Sequence, residues 1–191
     1  MIRMKQVALL IIDMQNDFVL EGGLLKVAQG RGVVPRIKEV LNTFRLHNLP
    51  VFHIIRVHRI DGSDVEINRQ ELFKKHPFAV EGSHGASIID ELSPLSGEYV
   101  IPKIRMSAFL GTELDLVLRN LGIGELVVTG IQTPNCIRTT VFDAIAYNYP
   151  VILLEDAVGA QNDEIHHANV RDMANIGARV MNTRELISVL G

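Results

Sequence analysis

Apolar and polar positions in this chain follow two alternating rhythms. Short runs at 7–12, 51–55, 99–101, 125–129, 151–154 and 178–181 are apolar or β-branched almost throughout and predict strands. Between them, apolar residues recur three and four apart. Val33, Ile37, Val40, Leu41 and Phe44 predict a helix over 33–48. Leu114, Val117, Leu118 and Leu121 predict one over 111–121, with Gly122 as its C-terminal cap. Further helices are expected over 134–148, 163–176 and 183–190, the last with a capping-type start. The stretch 56–87 is long, polar and weakly periodic, the pattern of a functional loop or lid.

Strands that are apolar on both faces, separated by helices, imply a parallel sheet covered on both sides. The expected fold is therefore α/β: a doubly wound, mostly parallel sheet of about six strands. No internal repeat, low-complexity tract or linker divides the chain, so residues 1–191 are read as one domain.

Composition narrows the classes of function. A hydrophobic fraction of 47% excludes a disordered chain, and 191 residues suffice for one sizeable core. A net charge of −3 with scattered Lys and Arg argues against a nucleic-acid surface. The apolar run 7–12 is too short for a signal-peptide core or a membrane span. With a single cysteine no internal disulfide can form, which fits a reducing cytoplasm.

That cysteine, Cys136, lies in Gly130-Ile131-Gln132-Thr133-Pro134-Asn135-Cys136, between an expected strand and an expected helix. Thr133 offers an N-cap oxygen and Pro134 suits the first helical position. The thiol then falls in the first turn, where free N–H groups and the helix dipole favour a thiolate. A lone cysteine is more often a small buried hydrophobe. Two other groups change that balance. Asp13 ends the first strand and Lys103 follows the third, so all three are expected at carboxyl ends of central strands, where parallel sheets bind ligands. Alone, Asp13 reads equally as a turn cap and Lys103 as a solvated cation. Together they supply what an acyl-transfer thiol needs. Asp13 can accept and return the proton, Lys103 can pair with Asp13 and lower the thiol pKa, and backbone N–H groups near Gln132 and Cys136 can hold an oxyanion.

Three motifs, Ile11-Ile12-Asp13-Met14-Gln15-Asn16-Asp17-Phe18, Lys103-Ile104-Arg105-Met106-Ser107-Ala108-Phe109 and the Cys136 heptapeptide, occur in this order. In this the chain resembles the isochorismatase-like cysteine hydrolases over nearly its full length. That superfamily includes nicotinamidases, N-carbamoylsarcosine amidases and ureide hydrolases. The resemblance implies a Rossmann-like, isochorismatase-like hydrolase fold and a triad of Asp13, Lys103 and Cys136. It also implies a non-proline cis peptide at Ile131–Gln132, Phe18 as an apolar pocket wall, no cofactor, and a homo-oligomer, dimer or tetramer. The implied reaction is hydrolysis of a small amide or ureide through a thioester.

Nicotinamidases of the superfamily place an Asp and two His near the second strand to bind a metal. Here the region reads His53-Ile54-Ile55-Arg56-Val57-His58-Arg59, without the Asp-x-His pattern, and His76 and His84 stand without a ligand framework. The reading is therefore no metal and a substrate other than nicotinamide. Arg56, His58 and Arg59, just beyond the second strand, are candidates to meet a polar or anionic substrate. The competing reading is a solvated basic cluster answering Asp61, Asp64 and Glu66. Asp61-Gly62-Ser63-Asp64 lacks full calcium-loop spacing and reads as an Asx-type turn. Gln161 follows the fifth strand and could hydrogen-bond an amide, although a plain surface loop serves equally. His166 and His167 are expected to point apart, which excludes a shared metal.

The leading expectation is a metal-independent cysteine amidohydrolase for a small linear amide, carbamoyl compound or ureide. Isochorismate-type vinyl-ether hydrolysis is the enzymatic alternative, disfavoured by the cysteine at 136. A non-catalytic small-molecule binder would fit an altered Asp13 or Lys103, and both residues are present. A redox sensor lacks a resolving cysteine.

Overall fold

The computed structural model describes residues 7–191. In chain order the elements are β1 (Val7–Ile12), α1 (Asn16–Val19), α2 (Gly30–Leu46), β2 (Val51–Arg56), α3 (Gln70–Lys75), β3 (Tyr99–Lys103) and α4 (Leu114–Asn120). There follow β4 (Glu125–Ile131), α5 (Arg138–Ala146), β5 (Val151–Gly159), α6 (Asp163–Asn175), β6 (Arg179–Met181) and α7 (Thr183–Leu190). The six strands form one sheet in the order β3-β2-β1-β4-β5-β6, and every neighbouring pair is parallel.

The central strand shows why the sequence chooses this architecture. Val7, Leu9 and Ile11 of β1 join Ile37, Val40, Leu41 and Phe44 of α2 and Leu186 and Leu190 of α7 on one face. Ala8, Leu10 and Ile12 join Leu114 and Leu118 of α4, Val141 and Ala144 of α5 and Met173 of α6 on the other. A strand buried on both faces needs apolar side chains at every position, because its period of two alternates them between the cores. Each large aliphatic side chain so buried contributes about 1.5–3 kcal/mol.

Three differences from the sequence reading have local causes. Strand β5 continues to Gly159 through polar Glu155 and Asp156, which an apolar-run criterion stops at. Its pairing with β4 shifts register between Val128 and Gly130, and Asp156 accepts from the Thr183 N–H and hydroxyl at 2.8 Å each. The stretch 56–87 is not all loop: a short 3₁₀ turn (Ile67–Arg69) leads into α3. Only Phe73 of α3 is buried, so the element has too little apolar periodicity to be read. Finally, Thr133 does not cap a helix. A π-helical turn (Thr133–Ile137) precedes α5, closed by the Ile137 N–H donating to the Gln132 carbonyl at 3.1 Å. The Thr133 hydroxyl instead meets His166 Nδ1 at 3.2 Å. The capping expected at α7 is present, as a reciprocal box between Asn182 and Glu185.

The strand order reverses between β1 and β4. In an open parallel sheet this leaves a crevice outside the strands' carboxyl ends, where the flanking connections diverge to opposite faces. Among the described residues, no helix is long and apolar enough to cross a membrane.

Candidate active site

Four strand ends converge on that crevice. Strand β1 delivers Asp13, β2 delivers Arg56, β3 delivers Lys103, and β4 leads through Gly130 to Cys136. The approach of β1 and β4 depends on glycine. Gly130 has φ +110°, and a Cβ there would stand 2.1 Å from the Ile12 carbonyl oxygen. Asp13 itself has φ +55°, an uncommon conformation that Asp tolerates better than most residues.

The structure brings Asp13, Lys103 and Cys136 together. Lys103 Nζ donates to Asp13 Oδ2 at 2.9 Å and to the Arg105 carbonyl at 3.2 Å, and lies 3.3 Å from Cys136 Sγ. Asp13 Oδ1 is buried and, among the described residues, has no hydrogen-bond partner. The peptide between Ile131 and Gln132 is cis. Gln132 and Cys136 both line a cavity of about 390 Å³ whose walls include Asp13, Arg56 and Asn135. Phe18 and Ile131 supply apolar wall, as does Leu25.

Burial sets the protonation of the nucleophile candidate. It pushes the Cys136 thiol up, and the neighbouring Asp13 carboxylate pushes the same way, while Lys103 and Arg56 pull it down without prevailing. Burial thus works against the helix start and the two cations, so forming the thiolate calls for a local proton acceptor. Asp13, whose buried Oδ1 has no partner among the described residues, is the carboxylate whose charge acts on the thiol.

The tentative substrate contacts separate into three outcomes. Arg56 does line the cavity, but its guanidinium is engaged within the protein. Nη1 donates to Glu66 Oε1 at 2.8 Å, and Nη2 lies 3.3 Å from Met106 Sδ and 3.8 Å from Cys136 Sγ. His58 is not a substrate contact. It is buried away from the cavity, with Nδ1 3.2 Å from Asp64 Oδ1 and its ring edge-on to Phe73 and Phe78. Apolar Phe73 and Phe78 draw the imidazole inward, an influence invisible in the local sequence. Gln161 touches the cavity, yet both ends of its amide are spent. Oε1 accepts from the Ala28 N–H at 3.1 Å and Nε2 donates to the Lys26 carbonyl at 3.2 Å, so it secures the 26–28 wall. Arg59 is exposed and paired with Asp61 at 3.4 Å, and Asp61 accepts from the Ser63 N–H and hydroxyl in an Asx-type turn.

Two positioning residues escaped the sequence reading. Gln15 is fully buried. Its Nε2 donates to the Arg56 and Ala86 carbonyls at 2.7 Å each, and its Oε1 accepts from the Arg56 N–H at 2.7 Å. Asp17 Oδ2 accepts from the Ala79 N–H at 2.7 Å, and Gly85 packs so closely that a Cβ would fall 2.3 Å from that carboxylate. The two residues pin the 78–87 segment to β1 and β2. Their signal was available as polar residues crowded immediately after a fully apolar strand.

A divalent cation does not fit the β2 side of the cavity. His53 Nε2 is bound to Glu98 Oε2 at 2.9 Å, and neither His53 nor His58 lines the cavity. The space beside the thiol holds the Lys103 ammonium and the Arg56 guanidinium, positive charges that repel a metal ion. His166 and His167 lie together, ring centroids 5.0 Å apart, beside a different surface hollow.

Comparison with known proteins places this geometry. The isochorismatase domain model matches residues 7–185. The chain belongs to the isochorismatase family. This family member is 41% identical over 187 residues to a protein of Arabidopsis thaliana named a probable inactive nicotinamidase, covering 96% of this chain and 95% of that one. It is 30% identical over 186 residues to an N-carbamoylsarcosine amidase of Arthrobacter, covering 96% of this chain and 70% of the relative. A crystal structure of an isochorismatase family protein from Desulfovibrio vulgaris superposes with TM-score 0.93 at 44% identity, over 97% of this chain and 98% of that one. The sheet and the expected family resemblance agree, and the chain is an isochorismatase-family hydrolase.

Proposed function

We propose that this hydrolase cleaves the C–N bond of a small linear amide, carbamoyl compound or ureide through an acyl-enzyme on Cys136. The observation that carries the reading is the single cluster in which Lys103 Nζ reaches both Asp13 Oδ2 and Cys136 Sγ at the wall of the cavity. In this reading Asp13 takes the Sγ proton, and Sγ attacks the substrate carbonyl carbon. The oxyanion is met by the backbone N–H groups of Gln132 and Cys136. Asp13 then gives its proton to the departing nitrogen, the C–N bond breaks, and a thioester remains. Water attacks the thioester while Asp13 accepts its proton, the acid leaves, and the proton returns to Sγ. No step calls for a metal or cofactor.

The charge of the cavity supports a substrate with an anionic end. Lys26, Arg56 and Arg69 line it, while Asp13 is its one carboxylate. Lys26 pairs with Glu21 and Arg56 with Glu66, but Arg69 has no ion-pair partner among the described residues. The sarcosine carboxylate named in one relative has this character. A reducing cytoplasm suits an enzyme dependent on one free thiol.

A second reading, a non-catalytic small-molecule binder, is favoured by one observation: the Arabidopsis relative is named as inactive. Ammonia release from a panel of N-carbamoyl amino acids, ureides, short linear amides and nicotinamide separates the two. Turnover of an acyclic member by the native protein, lost in Cys136→Ala, supports hydrolysis. Saturable binding without release from any member supports the binder.

A further inference from the structure

We propose that Arg56 is a further catalytic residue, a second cation on the Cys136 sulfur whose strength is set by Glu66. The inference rests on the reading of Cys136 as nucleophile. The Arg56 side chain is among the largest fully buried ones, and both its backbone and its guanidinium are engaged. The Arg56 N–H and carbonyl are both bonded to the Gln15 amide. Nη1 donates to Glu66 Oε1, and Nη2 ends 3.8 Å from Cys136 Sγ. A substrate-binding arginine would present a free fork to the cavity. This one spends Nη1 on a carboxylate and lays Nη2 between two sulfurs, 3.3 Å from Met106 Sδ and 3.8 Å from Cys136 Sγ.

Charge counting shows what that achieves. With a neutral thiol, the buried set Asp13⁻, Lys103⁺, Arg56⁺ and Glu66⁻ sums to zero. Moving the proton from Sγ to Asp13 also leaves zero, so no net charge is created in the interior and the desolvation cost of the step is contained. The negative charge moves from a carboxylate hydrogen-bonded to one cation to a sulfur with two in direct contact, at 3.3 Å and 3.8 Å. Lys103 serves both ends of the transfer, since it contacts Asp13 as well. Arg56 hydrogen-bonds only the sulfur end; its charge also attracts Asp13, but less than it attracts the sulfur, so it biases the proton toward Asp13. Glu66, whose side chain is 17% exposed, offsets part of that bias, and its Oε2 is buried without a partner among the described residues.

This arrangement makes a prediction of opposite sign for the two partners. The readout is the pH dependence of Cys136 alkylation by iodoacetamide, followed by intact mass, in the full chain. Arg56→Met should move the midpoint up by about one to two pH units, slowing alkylation at neutral pH about ten- to hundredfold. Glu66→Gln keeps an oxygen for Nη1 but removes the negative charge, so it should move the midpoint down and speed alkylation about tenfold. Because a loosened fold would also expose the thiol and lower its midpoint, the downward shift supports the proposal when the urea midpoint of Glu66→Gln is native, and a shift that comes with a lowered urea midpoint counts against it. Arg56→Met/Glu66→Gln should fall between them. Lys103→Met is the control for the underlying reading. A shift with Lys103→Met but none with either Arg56→Met or Glu66→Gln would overturn the role of Arg56 and leave the nucleophile standing. No shift with any of them would remove cationic activation of Cys136 altogether. Midpoints that rise equally in Arg56→Met and Glu66→Gln would also overturn the proposal.

Discussion

Lys103 Nζ and Asp13 Oδ2 form an ion pair at 2.9 Å with side chains only 0% and 5% exposed, spanning the carboxyl ends of two strands separated by β2. Such a pair stabilises little in total, because desolvation offsets most of the attraction, but breaking it strands a buried charge. Asp13→Ala and Lys103→Met should each lower unfolding free energy by about 3–5 kcal/mol in urea titration. Asp13→Ala/Lys103→Met, which removes both charges, should cost clearly less than the sum of the two single variants. Additive losses would contradict a direct pair.

Gln15 closes three hydrogen bonds on buried backbone groups of Arg56 and Ala86. Gln15→Leu fills similar volume but leaves those groups unpaired, at roughly 1–3 kcal/mol each before relaxation. We expect a lowered denaturation midpoint and faster proteolysis within 78–87. An unchanged midpoint with native protease resistance would show that water replaces the amide without consequence.

Arg69 tests the anionic end of the substrate. If it binds a distant carboxylate equally in ground and transition states, Arg69→Ala should raise KM about tenfold for acidic members of the panel and leave kcat within about twofold. Neutral amides should be unaffected. Equal loss on acidic and neutral compounds would remove Arg69 from recognition.

Acid stability should fall in two steps. Burial lowers the pKa of His53, His58 and His166 below their ordinary 6.5. Each is therefore proton-poor in the fold while the unfolded chain takes up protons. Their contribution is complete above pH 6.5 and is lost as the pH falls below it. Glu98 behaves differently. Burial alone would raise it, but hydrogen bonds from Arg45, the Leu95 N–H and His53 hold its carboxyl down at about 2, from an ordinary 4.5. Its contribution is present above pH 4.5 and is lost as the pH falls toward 2. Urea midpoints measured from pH 7.5 to 3 should show both declines. His53→Gln should flatten the first. A profile level between pH 7 and 5 would contradict buried neutral imidazoles.

Much of the architecture was legible because its strands are buried on both faces, so continuous apolar runs mark them directly. The parts that stayed hidden obey long-range rather than local chemistry. Strand β5 crosses Glu155 and Asp156 because the latter serves Thr183, and α3 is held by Phe73 alone. At the site, strand ends located Asp13, Lys103 and Cys136 before any coordinates. The course of Arg56 was not readable, because Glu66 and Gln15 direct it from different segments. Nor was the inward turn of His58, which follows from the packing of Phe73 and Phe78. The burial that pushes the Cys136 thiol up is hidden likewise, since a helix start is visible in sequence whereas the burial of the sulfur is not.

The central claim is a covalent intermediate on Cys136, and intact-mass spectrometry tests it most directly. The enzyme is mixed with a compound it hydrolyses, quenched in acid within milliseconds to seconds, and digested to locate any adduct. A mass increase equal to the acyl group is expected on the peptide bearing Cys136, absent in Cys136→Ala and decaying as product forms. Turnover with no adduct at any quench time, and persisting in Cys136→Ala, would contradict it.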